Sequence, residues 1–485
     1  MQTQPRNPTQ DLFAQGKPLW ARAIAQPAQE FAPTALRLIS GHLPPGLRGT
    51  LYRNGPARLE RQGKRVAHWF DGDGAILAVH FTDAGVTGLY RYVKTKGFLA
   101  EEQAGRFLYS GYGQLAPGPF WNRWGAKTKN VANTSVIALP DKLLALWEGD
   151  KPHALDLETL ETLGTDDLTS LKGNLPYSAH PKRDPTTGEI YNFGVTFGTT
   201  AQINLYRSDA RGQIRQQRKI PLERLSLVHD FALAGPYLIF LVPPLQMQPL
   251  SVLLGFKSFS AALQWQPQYG TQIIVVDRQT FQEVKRFDTA PWFQWHIGNG
   301  YTDEDGSVVI DFVRYPDFQT NQWLQEFVTG YPRTPAVGRL WRIRLQPKTG
   351  KVLENYQQLN LHGDLPIVSP LESGKQAQYL YLITQSSSES KTEELYNSIA
   401  RVDLETGTAI LAEPGPGCYP MEPIYAPDQF DPKQGWILTV VFNGNQAQST
   451  VQIYQAQHLN EGPVCVLELP QIIPFGFHGT WHPTF

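Results

Sequence analysis

The chain has 485 residues, 41% of them hydrophobic, with 43 Lys+Arg against 44 Asp+Glu and a formal net charge of −1. That is enough apolar surface for a sizeable core, while a neutral balance with only 18% charged residues excludes a protein that holds nucleic acid by neutralising its phosphates. Two cysteines, Cys418 and Cys465, are too few for a disulfide framework or a thiolate zinc site, and no apolar run is long enough to span a bilayer.

The opening MQTQPRNPTQ has neither the basic start nor the apolar core of a signal peptide, so a cytoplasmic location is expected. Residues 10–25 (QDLFAQGKPLWARAIA) read as a helix weakened by Gly16 and Pro18, within an N-terminal extension covering 1–35. Beyond it come short apolar runs bounded by turn residues: AILAVHF (75–81), SVIALP (135–140), KLLALW (142–147), YLIFLV (237–242), QIIVVD (272–277) and WILTVVF (436–442). Each is strand-length and rich in Val, Ile, Leu or aromatics. A strand–polar turn–strand pattern recurs seven times, at 79–93, 153–164, 203–217, 274–287, 341–356, 400–411 and 451–469. Anchored on Asp83, Asp156, Asp209, Asp277, Pro347, Asp403 and Gln457, the hairpins lie 53 to 73 residues apart. A four-strand unit at that period predicts an all-β, seven-bladed propeller filling 1–485 as one domain; a sandwich of many hairpins is the other reading of the same pattern.

Four of the 11 histidines keep a common distance from these anchors: His180 is 24 past Asp156, His229 20 past Asp209, His296 19 past Asp277 and His478 21 past Gln457. In a propeller, the segment after an outer hairpin crosses to the next blade and begins its innermost strand, so four imidazoles in this phase converge near the axis. Any one alone reads as a hydrogen-bonded core residue; the shared phase sets the group apart as metal ligands. The same phase places Asp364 and Glu422 in two other blades, and Glu148 ends the strand KLLALWEG. Carboxylates behind metal-bound imidazoles accept the second ring N–H and fix tautomer and orientation. An all-imidazole set suits Fe(II), Zn(II), Ni(II) or Cu(II).

His362 and Asp364 imitate the opening of a two-histidine–one-carboxylate iron site, but the stretch LNLHGDLP is polar and His362 is expected to stand outside the metal group. His42, His68, His80 and His153 are off phase and read as structural, and His458 and His482 as surface residues. FDGDG (70–74) and DEDG (303–306) lack the spacing of a calcium loop and read as tight turns. No nucleophile elbow, zincin, dinucleotide or phosphate-loop motif occurs.

Eight segments together resemble the carotenoid cleavage oxygenase family, and within it the cyanobacterial apocarotenoid oxygenases: GTLYRNGPA (49–57), HWFDGDGAI (68–76), KNVANTSV (129–136), LLALWEGDKPH (143–153), SAHPKRDP (178–185), LVHDFAL (227–233), EPIYAPD (422–428) and IPFGFHGTW (473–481). The resemblance implies a seven-bladed propeller capped by helices and loops, with Fe(II) held by His180, His229, His296 and His478, and Glu148, Glu422 and Asp364 behind them. It implies Thr134 beside an open iron position, and cleavage of a conjugated C=C bond by O₂ into two carbonyl products, for example retinal from a β-apocarotenal. Stilbene cleavage, retinoid isomerohydrolysis and carotenoid binding without chemistry are the alternatives on the same scaffold. Two departures stand out. WHIGN replaces a double-histidine run at His296, and GDLP carries Asp where the family has Glu, so the hydrogen bond of Asp364 is expected to lengthen or pass through water.

A polyene needs an apolar tunnel, for which Phe70, Trp147, Leu227 and Trp295 are the candidates, their other reading being ordinary packing. The nearly uncharged stretch 241–265, with Lys257, and the stretch 110–127, with Phe120, Trp121, Trp124, Arg123 and Lys127, read as an apolar patch that dips into a membrane interface beside the tunnel mouth. A monomer in peripheral contact with a membrane is expected, with no nucleic-acid partner.

Overall fold

Seven antiparallel sheets follow one another along the chain, as the hairpin repeat predicts. The computed structural model describes residues 16–124, 128–173, 175–198, 200–386, 394–431 and 433–484. All seven predicted hairpins are present, and in every sheet the hairpin supplies the third and fourth strands counted from the inside. The architecture is a seven-bladed β-propeller.

Blades two to six are each continuous in sequence, running from Ser135–Ala138 to Thr162–Thr165, from Lys182–Arg183 to Ile214–Leu222, from Phe231–Ala234 to Glu283–Thr289, from Ile297–Thr302 to Val352–Gln357, and from Gly363–Ile367 to Ala409–Ala412. Burial falls from the middle of a blade outward. In the fourth, Tyr237–Val242 and Thr271–Asp277 are almost wholly buried, whereas the outer Glu283–Thr289 is half exposed. Strands covered on both faces read as unbroken apolar runs, and the outer ones alternate with charge. The core accordingly lies between sheets. Phe193 and Leu205 of the third blade pack with Phe231, Phe240 and Ile274 of the fourth.

The two ends of the chain close the ring. Gly479–Pro483 forms the innermost strand of the first blade, paired with Gly49–Arg58 (Tyr52 opposite Thr480), while Phe31–Ala35 and Arg37–Gly41 are the outermost strands of the first and seventh blades. The expected extension over 1–35 therefore stops short, because Phe31–Ala35 belongs to a blade. The helix expected over 10–25 is only a 3₁₀ turn, Leu19–Ile24; residues 10–15 lie outside the described residues. Pro18 sets its start and Pro27 follows its end, leaving one short piece whose Trp20 is fully buried and stacks on Phe327 at 4.9 Å.

Beside the closing strand, Gly55 faces Gly476 so closely that a Cβ at 55 would run into the Gly476 backbone. Gly55→Ala is expected to cost about 1–3 kcal/mol of stability, as overpacking does, read from the midpoint of chemical denaturation. Gly85→Ala, where a Cβ meets open space, isolates the price of its own positive φ.

Candidate metal centre

Each of the four phased histidines sits one or two residues before an innermost strand: His180 before Lys182–Arg183, His229 before Phe231–Ala234, His296 before Ile297–Thr302 and His478 before Gly479–Pro483. Strands that begin at the inner edge of successive blades deliver these side chains to one point. The four ligand nitrogens lie within 4.8 Å of one another, and the Nε2 atoms of His180 and His229 are 2.9 Å apart. The other three blades use the same station: Thr134 precedes Ser135–Ala138, Asp364 lies in Gly363–Ile367, and Glu422 stands between Cys418–Pro420 and Ile424–Pro427. Seven blades thus supply seven side chains.

Three imidazoles are held from behind by carboxylates. His478 Nδ1 meets Glu422 Oε1 at 2.7 Å, and His296 Nδ1 meets Asp364 Oδ1 at 2.8 Å. The Glu148 carboxylate lies directly against His229 Nδ1. A carboxylate partner makes Nδ1 the protonated nitrogen and leaves the Nε2 lone pair for a metal. Glu422 is fixed in turn by the Gly479 N–H, which donates to Oε2 at 2.8 Å, and by buried Arg53 3.9 Å from the same oxygen. The bond expected to lengthen at Asp364 does not: the shorter side chain reaches its histidine directly. The backbone around it is irregular, with a bulge between Asp364 and Ile367 and Leu365 at φ 54°, so main-chain placement supplies the reach that the side chain lacks.

Electrostatics favour the neutral, ligand-ready ring at His180 and His478. Burial, and then the neighbouring imidazoles, push His180 well below its usual value; burial also lowers His478 against the pull of Glu422. For His296 burial acts downward too, but the charge and hydrogen bond of Asp364 outweigh it and the net shift is upward. Asp364 moves the opposite way: burial would raise it, and His296 with the bonds from Tyr315 and Leu365 holds it below the usual carboxylate range.

His229, His296 and His478 line a cavity of about 360 Å³. All four proposed wall residues, Phe70, Trp147, Leu227 and Trp295, line it, as does Thr134, whose hydroxyl donates to Asn133 Oδ1 at 3.0 Å. Trp295 is locked by an Nε1–H bond to Thr320 at 3.1 Å. Adjacency to a ligand, which singled out Trp295, also singles out Phe477, missed from the sequence though it precedes His478 and lines the same space. Tyr315, Tyr396 and Glu394 were missed with no local signal to find them. His362 stands outside the metal group, as expected, yet it lines the cavity with its Nε2 3.4 Å from the Tyr396 hydroxyl. His68 is fully buried and accepts the Phe70 N–H, His80 pairs with Thr50, and His153 is buried, all structural. His42 and His458 are exposed, whereas His482 is half-buried in the closing strand rather than on the surface. Asp303–Gly306 closes as a tight turn through a 2.9 Å backbone bond.

A propeller with four imidazoles clustered at its inner strand ends, three backed by carboxylates, presents a group of side chains that could hold a metal ion. The family model described as retinal pigment epithelial membrane protein matches residues 24–483, and the chain belongs to this carotenoid oxygenase family. It is 31% identical to apocarotenoid-15,15′-oxygenase of Synechocystis, across 92% of each chain. It is 28% identical to carotenoid 9,10(9′,10′)-cleavage dioxygenase 1 of Pisum sativum, covering 95% of this chain and 89% of that one. Isoeugenol monooxygenase of Pseudomonas nitroreducens is also 28% identical, with 92% and 94% covered. Among solved structures, a mutant of the Synechocystis oxygenase superposes with a TM-score of 0.86 at 29% identity, over 96% of this chain and 98% of that chain. Enzymes of this kind are oxygenases, and so is this chain.

The carboxylates differ in what else depends on them. Arg53 is buried and its charge is disfavoured by that burial, Glu422 being the group that supports it. Glu422→Gln is expected to cost about 3–5 kcal/mol, the toll of stranding a buried charge, whereas Glu148→Gln, at a half-buried residue, leaves stability within about 0.5 kcal/mol; thermal and chemical denaturation of the two variants compare them.

Proposed function

We propose that the chain is an Fe(II) dioxygenase that cleaves a conjugated C=C bond of an apocarotenoid with O₂, each alkene carbon leaving as a carbonyl. One observation carries this reading: four imidazoles whose ligand nitrogens lie within 4.8 Å of one another stand beside a cavity walled by aromatic and aliphatic side chains, with His229, His296 and His478 lining it. The 31% identity to a relative named for apocarotenoids supports the substrate class. His180, His229, His296 and His478 would hold the metal, and Glu148, Asp364 and Glu422 would orient three of them and balance its charge. The donor set fits: neutral nitrogen ligands without thiolate suit iron, and a cobalt-substituted form of the Synechocystis relative is among the solved structures. Bound Fe(II) supplies the activation of O₂.

The protein's own residues do the rest. Phe70, Trp147, Leu227 and Trp295 pack against a flat polyene and keep water from the reacting bond. Aromatic faces also stabilise positive charge that develops along the conjugated chain. Thr134 borders the cavity beside the histidines and limits what approaches them. Relatives named isoeugenol monooxygenase and resveratrol cleavage oxygenase make a smaller phenolic alkene the competing substrate.

The membrane reading rests on two segments that meet. Phe120 stacks near Phe256 at 5.4 Å, Trp124 Nε1 donates to the Leu254 carbonyl at 2.8 Å, and Arg123 donates to the Gly255 carbonyl at 3.2 Å. Together they expose Trp121, Trp124, Leu250, Leu253 and Phe256, all more than half accessible. Lys127 lies outside the described residues. Tyr112 and Phe259, from these same stretches, line the cavity instead of the surface. No helix among the described residues is long and apolar enough to cross a membrane. The enzyme acts as a monomer in the cytoplasm, resting on a bilayer and drawing its substrate from it.

Anaerobically purified protein is expected to bind about one Fe(II) and, with O₂, to convert β-apo-8′-carotenal to retinal by chromatography; chelation abolishes turnover and Fe(II) restores it. Absence of retinal with turnover of isoeugenol or resveratrol transfers the reading to phenolic alkenes. In flotation with liposomes, the Phe120/Trp121/Trp124→Ser variant is expected to stay at the bottom of the gradient while the parent rises; equal flotation counts against the patch.

A further inference from the structure

The Asp364 carboxylate is gripped from both sides. Oδ1 meets His296 Nδ1 at 2.8 Å and accepts the Leu365 N–H at 2.8 Å; Oδ2 accepts the hydroxyl of Tyr315 at 2.7 Å. Among the described residues neither other carboxylate is held by a phenol: Glu422 is fixed by the Gly479 N–H and Arg53, and Glu148 is half open to the cavity. Tyr315 is buried, and its backbone makes two bonds with Phe293, Phe293 N–H to Tyr315 carbonyl at 3.1 Å and Tyr315 N–H to Phe293 carbonyl at 2.8 Å. Val313 N–H donates to the His296 carbonyl at 3.0 Å, so one segment holds both the main chain of His296 and its carboxylate. Room for the phenol comes from Gly338, where a Cβ would stand 2.8 Å from Tyr315 Cζ and 2.9 Å from its hydroxyl.

We propose that Tyr315 is a positioning residue: its hydroxyl clamps the short Asp364 side chain in the rotamer that keeps His296 Nδ1 protonated and Nε2 aimed at the metal. A carboxylate with one methylene fewer cannot fold back to correct its own position, so the second oxygen must be tethered, and a rigid, buried phenol does this with little loss of freedom. The inference rests on the reading that the four histidines hold a metal, but its test does not rest on that reading alone.

In metal-free protein labelled with ¹⁵N-histidine, Tyr315→Phe is expected to shift the His296 Nδ1–H resonance while that of His478, held by Glu422, stays in place. Fe(II) titration of the same variant is expected to show about tenfold weaker binding, the usual scale for an outer partner. Adding Asp364→Glu to Tyr315→Phe is expected to regain part of that loss, since the longer carboxylate enters the space the hydroxyl vacates. Gly338→Ala, which keeps every polar group and crowds the phenol together with the Val313 side chain, moves the same resonance by a second route. An unmoved His296 resonance in both variants overturns the proposal, as does one that moves no further than that of His478. If the parent binds no Fe(II), the metal reading fails while the resonance still decides the role of Tyr315.

Discussion

Antiparallel pairing of Gly479–Pro483 with Gly49–Arg58 is the interaction on which the site depends. It joins residues more than 400 positions apart, so the ring closes only when nearly the whole chain is in place. His478 immediately precedes that strand, and the Gly479 N–H fixes the carboxylate that orients that histidine. Long-range pairing of this kind carries a large loop-closure cost before it is rewarded, and both termini contribute to it, with Phe31–Ala35 and Arg37–Gly41 edging the two blades that flank the seam.

The repeat was legible because its turns have a chemical signature. Asp156 Oδ1 accepts the Glu158 and Thr159 N–H groups and the Thr159 hydroxyl; Asp277 does the same for Gln279 and Thr280, and Asp403 accepts from Glu405 and Thr406. An aspartate that closes its own turn announces itself locally. The histidine phase followed from those turns, since a fixed length of chain separates an outer hairpin from the next inner strand. Tyr315, Tyr396 and Glu394 left no such trace. Tyr315 reaches the cavity from the end of the fifth blade's second strand, bridged to Phe293, and Glu394 and Tyr396 from the residues just before Ser398–Asp403 in the sixth, and nothing in their neighbours along the chain distinguishes them from packing. The 3₁₀ turn at Leu19–Ile24 was misjudged for a related reason: its apolar residues are there to fill a hole against Phe327, not to stripe a helix.

Charge decides how the pocket tolerates an ion. Four neutral imidazoles offer no compensation for a divalent cation, and leaving that charge buried and unbalanced would be prohibitive. Glu148, Asp364 and Glu422 would supply it one hydrogen bond removed, where they also select the tautomer. His180 has no carboxylate bonded to its ring among the described residues, and its own charge is strongly opposed by burial and by its three neighbours. With a metal bound, the arrangement would separate two tasks, donation by nitrogen and neutralisation by oxygen, that a carboxylate ligand combines in one group.

One residue from each blade stands at the inner rim: threonine, three histidines, aspartate, glutamate and a fourth histidine, in chain order. The sheet bonds beneath do not read which side chain occupies the rim. Where no buried partner leans on the rim residue, as Arg53 leans on Glu422, reactivity in such a protein is therefore exchangeable by single codon changes that leave the load on the scaffold untouched, and a lineage is free to trade a donor for a blocker without first inventing a new fold.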